Sequence, residues 1–379
     1  MTPPLSVPLS DYVIAGADSI PTPALLIYAD RVDGNIRAMI ARCGNDPARW
    51  RPHVKTAKAR DVIARYLMHG ITRFKCATTK ELRVLLELGA PDVLLSFPVV
   101  GATAQRVREL AAAHTATRVS VLVETAQHLA AFSGSGLGVF IDCNPGMDRT
   151  GANPSNAAAI AALANAATNT GCEFRGLHWY DGHLHGLPLR ERTAVAHKGY
   201  DALATLVHRL AALGVEPREI IVAGTPAAPC ALSYTRWADV GGPAQISPGT
   251  VVYNDTTSLE QLPPEWGLKP AALVLATVVS HPRDGRFTCD AGHKSVSADA
   301  GVPTCEVLGH PDWTPSKPSE EHLPIDCARA EDVPAIGSPL LLLPRHICPT
   351  VNNFDEALLV RDGRVEGRAG VTARGHDGL

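Results

Sequence analysis

Near the carboxyl end of the chain, His346-Ile347-Cys348-Pro349-Thr350-Val351-Asn352-Asn353 sets an imidazole and a thiol one residue apart. In an extended segment this spacing lets both side chains converge on one soft or borderline metal ion. The bland alternative is a buried cysteine beside a strand-capping histidine. Far earlier, Arg51-Pro52-His53-Val54-Lys55-Thr56-Ala57-Lys58 closes an apolar stretch with a lysine. An amine placed there can form an imine with an aldehyde and act as a base once released. A plain surface lysine, the reading given to Lys58, is the alternative for Lys55. A metal and an amine drawn from opposite ends of the chain point to a site assembled from both.

Four further runs carry groups of the right type. In Asp142-Cys143-Asn144-Pro145-Gly146-Met147-Asp148-Arg149-Thr150-Gly151, glycines allow a tight turn at a cleft and Arg149 can donate to an oxyanion. In Tyr180-Asp181-Gly182-His183-Leu184-His185-Gly186, Tyr180 can flank a planar cofactor, and His183 or His185 can move a proton near neutral pH. Ala223-Gly224-Thr225-Pro226 and Ser247-Pro248-Gly249-Thr250 offer backbone amides and hydroxyls for a phosphate cradle. A surface ion pair, a structural histidine and ordinary turns are the respective alternatives.

These runs all follow short apolar segments, which fixes the elements that must position them. Candidate strands are 24–28, 50–53, 73–76, 92–96, 119–124, 139–142, 174–180, 219–223 and 244–246. Between them, 31–43, 58–69, 80–88, 104–114, 153–169 and 191–213 space apolar residues at helical intervals. Such alternation predicts βα units around a parallel sheet. With 24–28 as a lead-in segment, eight units remain, and the absence of a strand-borne GxGxxG favours a closed (β/α)8 barrel over an open sheet. Lys55, Arg149, Tyr180, Gly224, Thr225, Gly249 and Thr250 then fall at the strand ends where barrels place their chemistry. After Asp255 the helical rhythm fades, and 271–280, 286–290, 340–343, 357–361 and 364–368 read as strands of a mostly β domain. Asp362-Gly363 predicts a hairpin turn, 311–324 a loop, and the first twenty residues an added strand. The expected domains are 21–255 for the barrel, and 1–20 plus 256–379 for the β domain.

Composition bounds the function. The 379 residues are 45% apolar and 19% charged, enough for a substantial core. A net charge of −3 from 35 basic and 38 acidic residues argues against a nucleic-acid surface. Nine scattered cysteines without a CxxC fit a reducing cytoplasm. Neither a secretion signal nor a bilayer-spanning apolar run is expected.

Taken together, the Lys55, Arg149, Tyr180 and His346/Cys348 motifs, with Asp290-Ala291-Gly292-His293-Lys294 and Ser319-Glu320-Glu321-His322, resemble one family. It contains the eukaryotic-type D-serine dehydratases, D-threo-3-hydroxyaspartate dehydratase and the D-threonine aldolases. These are fold-type III pyridoxal-phosphate enzymes, distantly related to alanine racemase. The resemblance covers nearly the whole chain. It implies that Lys55 carries pyridoxal 5'-phosphate, Arg149 bonds its phenolic oxygen and Tyr180 packs near it. Gly224, Thr225, Gly249 and Thr250 would hold the phosphate, and His346 and Cys348 a divalent metal. It also implies a homodimer acting on a small D-3-hydroxy amino acid.

Within that family, aldolases commonly carry Asp where Cys348 stands, and dehydratases of the D-serine type carry Cys. A thiolate favours zinc, whereas a carboxylate suits manganese or magnesium. The first expectation is therefore a zinc-dependent dehydratase of D-serine or 3-hydroxy-D-aspartate type, giving an α-keto acid and ammonia. An aldolase giving glycine and an aldehyde, with His183 as a base, is the alternative. A non-catalytic pyridoxal-phosphate-binding protein is a third. Ala57, Gln245 and Val251 depart from the family pattern, where His, an acid and an aromatic residue are frequent.

Overall fold

The structure, a computed structural model, describes residues 7–377, so the first six residues of the expected 1–20 segment and the final two lie outside the described residues. The chain forms two compact units. One contains Met39–Lys55 and Tyr66–Gly249, with the tail from His376; the other contains 7–38, Thr56–Arg65 and Thr250–Gly375.

In the first unit, seven parallel strands follow one another in chain order: Arg73–Cys76, Asp92–Leu95, Arg118–Val123, Gly138–Cys143, Glu173–Trp179, Glu219–Val222 and Gln245–Ile246. Residues 50–53 join the two edges. Trp50 bridges Ile246 and His53 bridges Lys75, both in parallel. Arg51 N donates to Ile246 O at 2.8 Å, and Lys75 N to Pro52 O at 2.9 Å. The ring is thereby closed by an eighth segment. Local signals set the helices between strands. Thr78 Oγ1 accepts from Glu81 N at 3.1 Å, while the Glu81 carboxylate accepts from Ala77 N at 2.7 Å, a reciprocal cap that starts Thr79–Glu87. Asn156 caps Ala157–Asn169 with a single bond, its Oδ1 accepting from Ala159 N at 3.1 Å.

The barrel interior is filled in layers. Toward the strand starts, Arg51 and Arg175 meet Asp92, Glu219 and Gln245 in a buried charged network. Leu94, Leu122, Phe140 and Ile221 form an apolar layer. Toward the strand ends lie Lys75, Asp142 and His178, all buried.

The second unit is built on a nine-stranded sheet. The segment Ala24–Tyr28, expected as a lead-in to the barrel, instead pairs antiparallel with Ala272–Arg283 and parallel with Glu356–Arg361. Four of its five residues are buried, so it needs neighbours on both edges and both faces. Asp362 and Gly363 have positive φ, at 47° and 71°, and turn Glu356–Arg361 into Arg364–Gly370 as expected of a two-residue hairpin. Two readings differ, and one strand was not expected. Residues 7–20 form two short 3-10 turns, Leu9–Tyr12 and Ala17–Ser19, not a strand. The region 311–324 contains Thr314–Pro315 and the start of Leu323–Asp326, which extend the sheet beyond Arg286–Cys289. Cys305–Val307 pairs with Pro339–Pro344. These strands are two to four residues long, too short for a period of two to stand out. Among the described residues no helix is long and apolar enough to cross a membrane.

Candidate active site

Lys55 follows directly on the closing barrel segment and is exposed, its backbone N donating to His53 Nδ1 at 3.3 Å. At the end of Glu173–Trp179, the Tyr180 ring receives the Arg149 guanidinium at 4.7 Å and the Lys75 ammonium at 5.9 Å from its centroid. Gly224 and Gly182 are shaped around that ring: a Cβ on Gly224 would stand 2.9 Å from Tyr180 Cε2, and one on Gly182 2.5 Å from its hydroxyl. Ala223 and Asp148 each hold a positive φ, at 55° and 56°, immediately before Gly224 and Arg149. Non-glycine residues in that region cost about 1–3 kcal/mol and are retained where the surroundings over-determine them. The barrel unit therefore gathers Lys55, Arg149, Tyr180 and Gly224, four of the residues singled out from sequence.

Three groups that sequence reasoning missed join them. Lys75 Nζ is 2.8 Å from His178 Nε2, and His178 Nδ1 is 2.7 Å from Asp142 Oδ1. Thr150 donates to Asp142 Oδ2 at 2.8 Å. Burial pushes the Lys75 amine down to about 7, assisted by the charges of Lys55, Arg51 and Arg149 and opposed by Asp142. His178 is also lowered, by burial first and then by Lys75. Burial raises Asp142, but the bonds from His178 and Thr150 outweigh it and hold the carboxyl below its usual range. The three members stand in three different strands, and only the barrel register brings them together.

The phosphate-type loops contain Thr225, Ser247 and Gly249, all buried, and the half-buried Thr250. Ser247 Oγ is buried with no hydrogen-bond partner among the described residues. A shaped glycine, a strained backbone and an orphan hydroxyl fit an oxyanion better than an ordinary turn. The residues present thus fit pyridoxal phosphate. His183 is exposed on the short turn Gly182–Gly186, whereas His185 Nδ1 is 3.0 Å from Gly182 O.

In the second unit, His346 and Cys348 do not lie in an extended segment. His346 is the N-cap, with extended φ/ψ, and Cys348 lies in the first turn of the helix Ile347–Asn352. The cap comes from a distant residue: Asp255 Oδ2 accepts from Ile347 N at 2.9 Å. The two side chains nonetheless hydrogen-bond each other. Asp299 Oδ2 holds His346 Nδ1 at 2.6 Å, which leaves Nε2 as the ring atom for a metal. Thr56 Oγ1 and Thr250 Oγ1 lie 3.0 and 3.6 Å from Cys348 Sγ. Burial works against a charged His346, but the bonds and charges of Cys348 and then Asp299 outweigh it and push the imidazole up to about 9. No group of three or more His, Cys, Asp or Glu side chains is poised around one ion among the described residues. A two-ligand set with a carboxylate behind the histidine fits a divalent ion that keeps its other positions for substrate and water. Lys58, expected at the surface, is buried with φ 47°, its Nζ 3.4 Å from Ala373 O.

Comparison with known proteins agrees with this geometry. The family model for the alanine racemase N-terminal domain matches residues 27–255, and one for a serine dehydratase-type domain matches 271–360. The D-threonine aldolase of an Arthrobacter species is 28% identical over 94% of this chain and 93% of its own. The D-threo-3-hydroxyaspartate dehydratase of a Delftia species is 26% identical over 92% of this chain and 96% of its own. The crystal structure of D-threonine aldolase from Filomicrobium marinum superposes with a TM-score of 0.86 at 27% identity, covering 96% of this chain and 98% of that one. Because the match runs through both regions, the expectation of a non-catalytic cofactor-binding protein does not stand. The chain belongs to the fold-type III pyridoxal-phosphate enzymes, in the alanine racemase-like group of D-hydroxy-amino-acid dehydratases and aldolases.

Proposed function

We propose that this chain is a pyridoxal-phosphate- and divalent-metal-dependent lyase that splits D-3-hydroxy amino acids between Cα and Cβ, releasing glycine and an aldehyde. This puts the aldolase reading ahead of the dehydratase expected from sequence. An aldolase stands among its relatives at slightly higher identity than the dehydratase, and the superposed structure is also an aldolase. When bound, the cofactor supplies an electron sink for charge that develops at Cα, and the metal supplies a Lewis acid for the β-hydroxyl.

The chain's own residues set up that chemistry. Lys55 would hold the cofactor through its amine and, once displaced by substrate, stand as a base. Arg149 would donate to the cofactor's phenolic oxygen and Tyr180 would pack against its ring. Gly224, Thr225, Gly249 and Thr250 would hold the phosphate. His346 and Cys348 would hold the metal, with zinc first because one ligand is a thiolate and manganese or magnesium as alternatives. His183, exposed on its turn, would take the β-hydroxyl proton. The observation that supports the reading is the His346/Cys348 pair with Asp299 Oδ2 2.6 Å behind His346 Nδ1, a set that would hold the ion that polarises a β-hydroxyl. The resemblance further supports a homodimer, and the scattered cysteines support a reducing cytoplasm.

Cys348 itself favours a second reading, loss of the β-hydroxyl as water to give an α-keto acid and ammonia, because dehydratases of the family carry cysteine there. Incubation of the cofactor- and metal-loaded protein with D-threonine separates the two. Glycine with acetaldehyde is expected, and 2-oxobutanoate with ammonia would transfer the assignment to dehydration. Failure to turn over D-threonine, D-serine and both 3-hydroxy-D-aspartate diastereomers would reject both readings.

A further inference from the structure

We infer that Lys75 is an additional cofactor-binding residue, an ammonium donor to the anionic pyridoxal phosphate that the Asp142–His178 pair holds in place. The inference rests on the cofactor reading above but assigns a residue and an interaction beyond it. The chain of contacts fixes the hydrogens. Asp142, an acceptor only as a carboxylate, takes the His178 Nδ1 proton at 2.7 Å. The neutral ring then turns its Nε2 lone pair toward Lys75 Nζ, 2.8 Å away, so Lys75 is the donor. An ammonium has three N–H bonds, and His178 is its one hydrogen-bond partner among the described residues.

Lys75 is 3% exposed, so water does not readily satisfy the remaining donors, and leaving a buried ammonium incompletely bonded is costly. An anionic oxygen would remove that cost. The amine already stands among the residues of the cofactor wall, 5.9 Å from the Tyr180 ring centre, with Arg149 over the same ring. The charged or titratable groups around it are Lys55, Arg51 and Arg149 on the cationic side and Asp142 and Asp181 on the acidic side; His178 and Tyr180 complete its surroundings. Arg51 is already paired with Asp92 and Glu219, so Lys55 and Arg149 are the neighbouring cations that would share an anionic ligand with Lys75. Burial and those cations push the Lys75 amine down to about 7, so its charge, unlike that of an arginine, is pH-dependent around neutrality.

The test is binding of 4-deoxypyridoxine phosphate, which has the anionic groups of the cofactor but no aldehyde for Lys55. Its affinity for the cofactor-free protein is measured as a function of pH in wild type, Lys75→Met and Lys75→Arg, with folding monitored by circular dichroism. Should Lys75→Met not fold, Lys75→Gln takes its place. The probe's own phosphate titration acts on all three proteins alike, so the differences between curves carry the information. Below neutrality wild type is expected to bind like Lys75→Arg and roughly tenfold or more tighter than Lys75→Met. As pH rises it should depart from Lys75→Arg and merge with Lys75→Met, with a midpoint at or above neutrality because a bound anion favours the ammonium. His178→Gln should lower the midpoint or the affinity, as it removes the acceptor that orients the amine. Superimposable curves for wild type and Lys75→Met overturn the inference and leave the cofactor reading intact. Absence of binding to wild type at any pH overturns both.

Discussion

At the scale of single residues, the proposed metal pair would depend on a carboxylate that sequence reasoning did not find. Asp299 lies outside every motif that pointed to a metal, yet its Oδ2 stands 2.6 Å from His346 Nδ1 and selects the ring nitrogen left for an ion. Replacing a group behind a ligating histidine typically lowers metal affinity about 10–100-fold. Asp299→Asn is accordingly expected to weaken zinc binding by roughly that factor, read by competition with a chelating dye, with the fold unchanged because Asp299 is exposed. A loss smaller than twofold would mean that the carboxylate does not orient the imidazole. The raised His346 adds a pH effect: an imidazole pushed up to about 9 carries a proton at neutral pH that a metal must displace. Zinc uptake in unbuffered solution near neutrality should therefore release protons, and a flat pH trace would contradict the pairing of His346 with Cys348 and Asp299. Gly224 offers a steric test. A Cβ there meets the Tyr180 ring at 2.9 Å, so Gly224→Ala should lower pyridoxal-phosphate affinity by displacing the ring and cost about 1–3 kcal/mol in thermal unfolding.

At the scale of elements, the barrel strands must hold those loops in register, and the charged layer near their starts does part of that work. Arg175 sits 1% exposed between Asp92 and Glu219, and Arg51, fully buried, shares the same two carboxylates. Gln245, where the family often has an acid, accepts from Arg51 at 2.8 Å and donates to Glu219 at 2.8 Å. With two carboxylates already facing two guanidinium groups, a neutral amide completes the layer. Breaking a buried ion pair by removing one partner typically costs about 3–5 kcal/mol. Arg175→Met should destabilise the protein by about that amount in urea unfolding, and a change below about 1 kcal/mol would show that the layer is not closely coupled. Burial raises Asp92 and Glu219, but the arginines outweigh it and hold both carboxyls below their usual values. Depressed carboxylates contribute stability that is complete above the unfolded-state values, near pH 4, and is lost as pH falls through the folded ones. Wild type should thus lose stability more steeply below about pH 4 than Arg175→Met, in which these groups are less depressed.

At the scale of the whole chain, the barrel was legible in sequence because its strands are buried runs of branched apolar residues separated by helical periods. Lys55, Arg149, Tyr180 and the His346/Cys348 pair stood out in the sequence as candidates because each closes or interrupts such a pattern. Other features could not be read locally. The helix Ile347–Asn352 is capped by Asp255, far away in sequence, so no neighbouring Ser, Thr, Asp or Asn announced it. Lys58 looked like a surface lysine because nothing in its neighbours reveals a left-handed backbone with Ala373 O beside its ammonium. Lys75, His178 and Asp142 stand in three different strands and acquire meaning only when the register brings Nζ, the imidazole and the carboxylate within hydrogen-bond reach. The central claim is that Lys55, among all the lysines of the chain, is the residue that takes the cofactor. Borohydride reduction of the protein loaded with pyridoxal phosphate, followed by peptide mass mapping, tests it most directly. The pyridoxyl mass is expected on the peptide containing Lys55 and should vanish in Lys55→Ala; its appearance on Lys58 or Lys75, or on no peptide, would contradict the account.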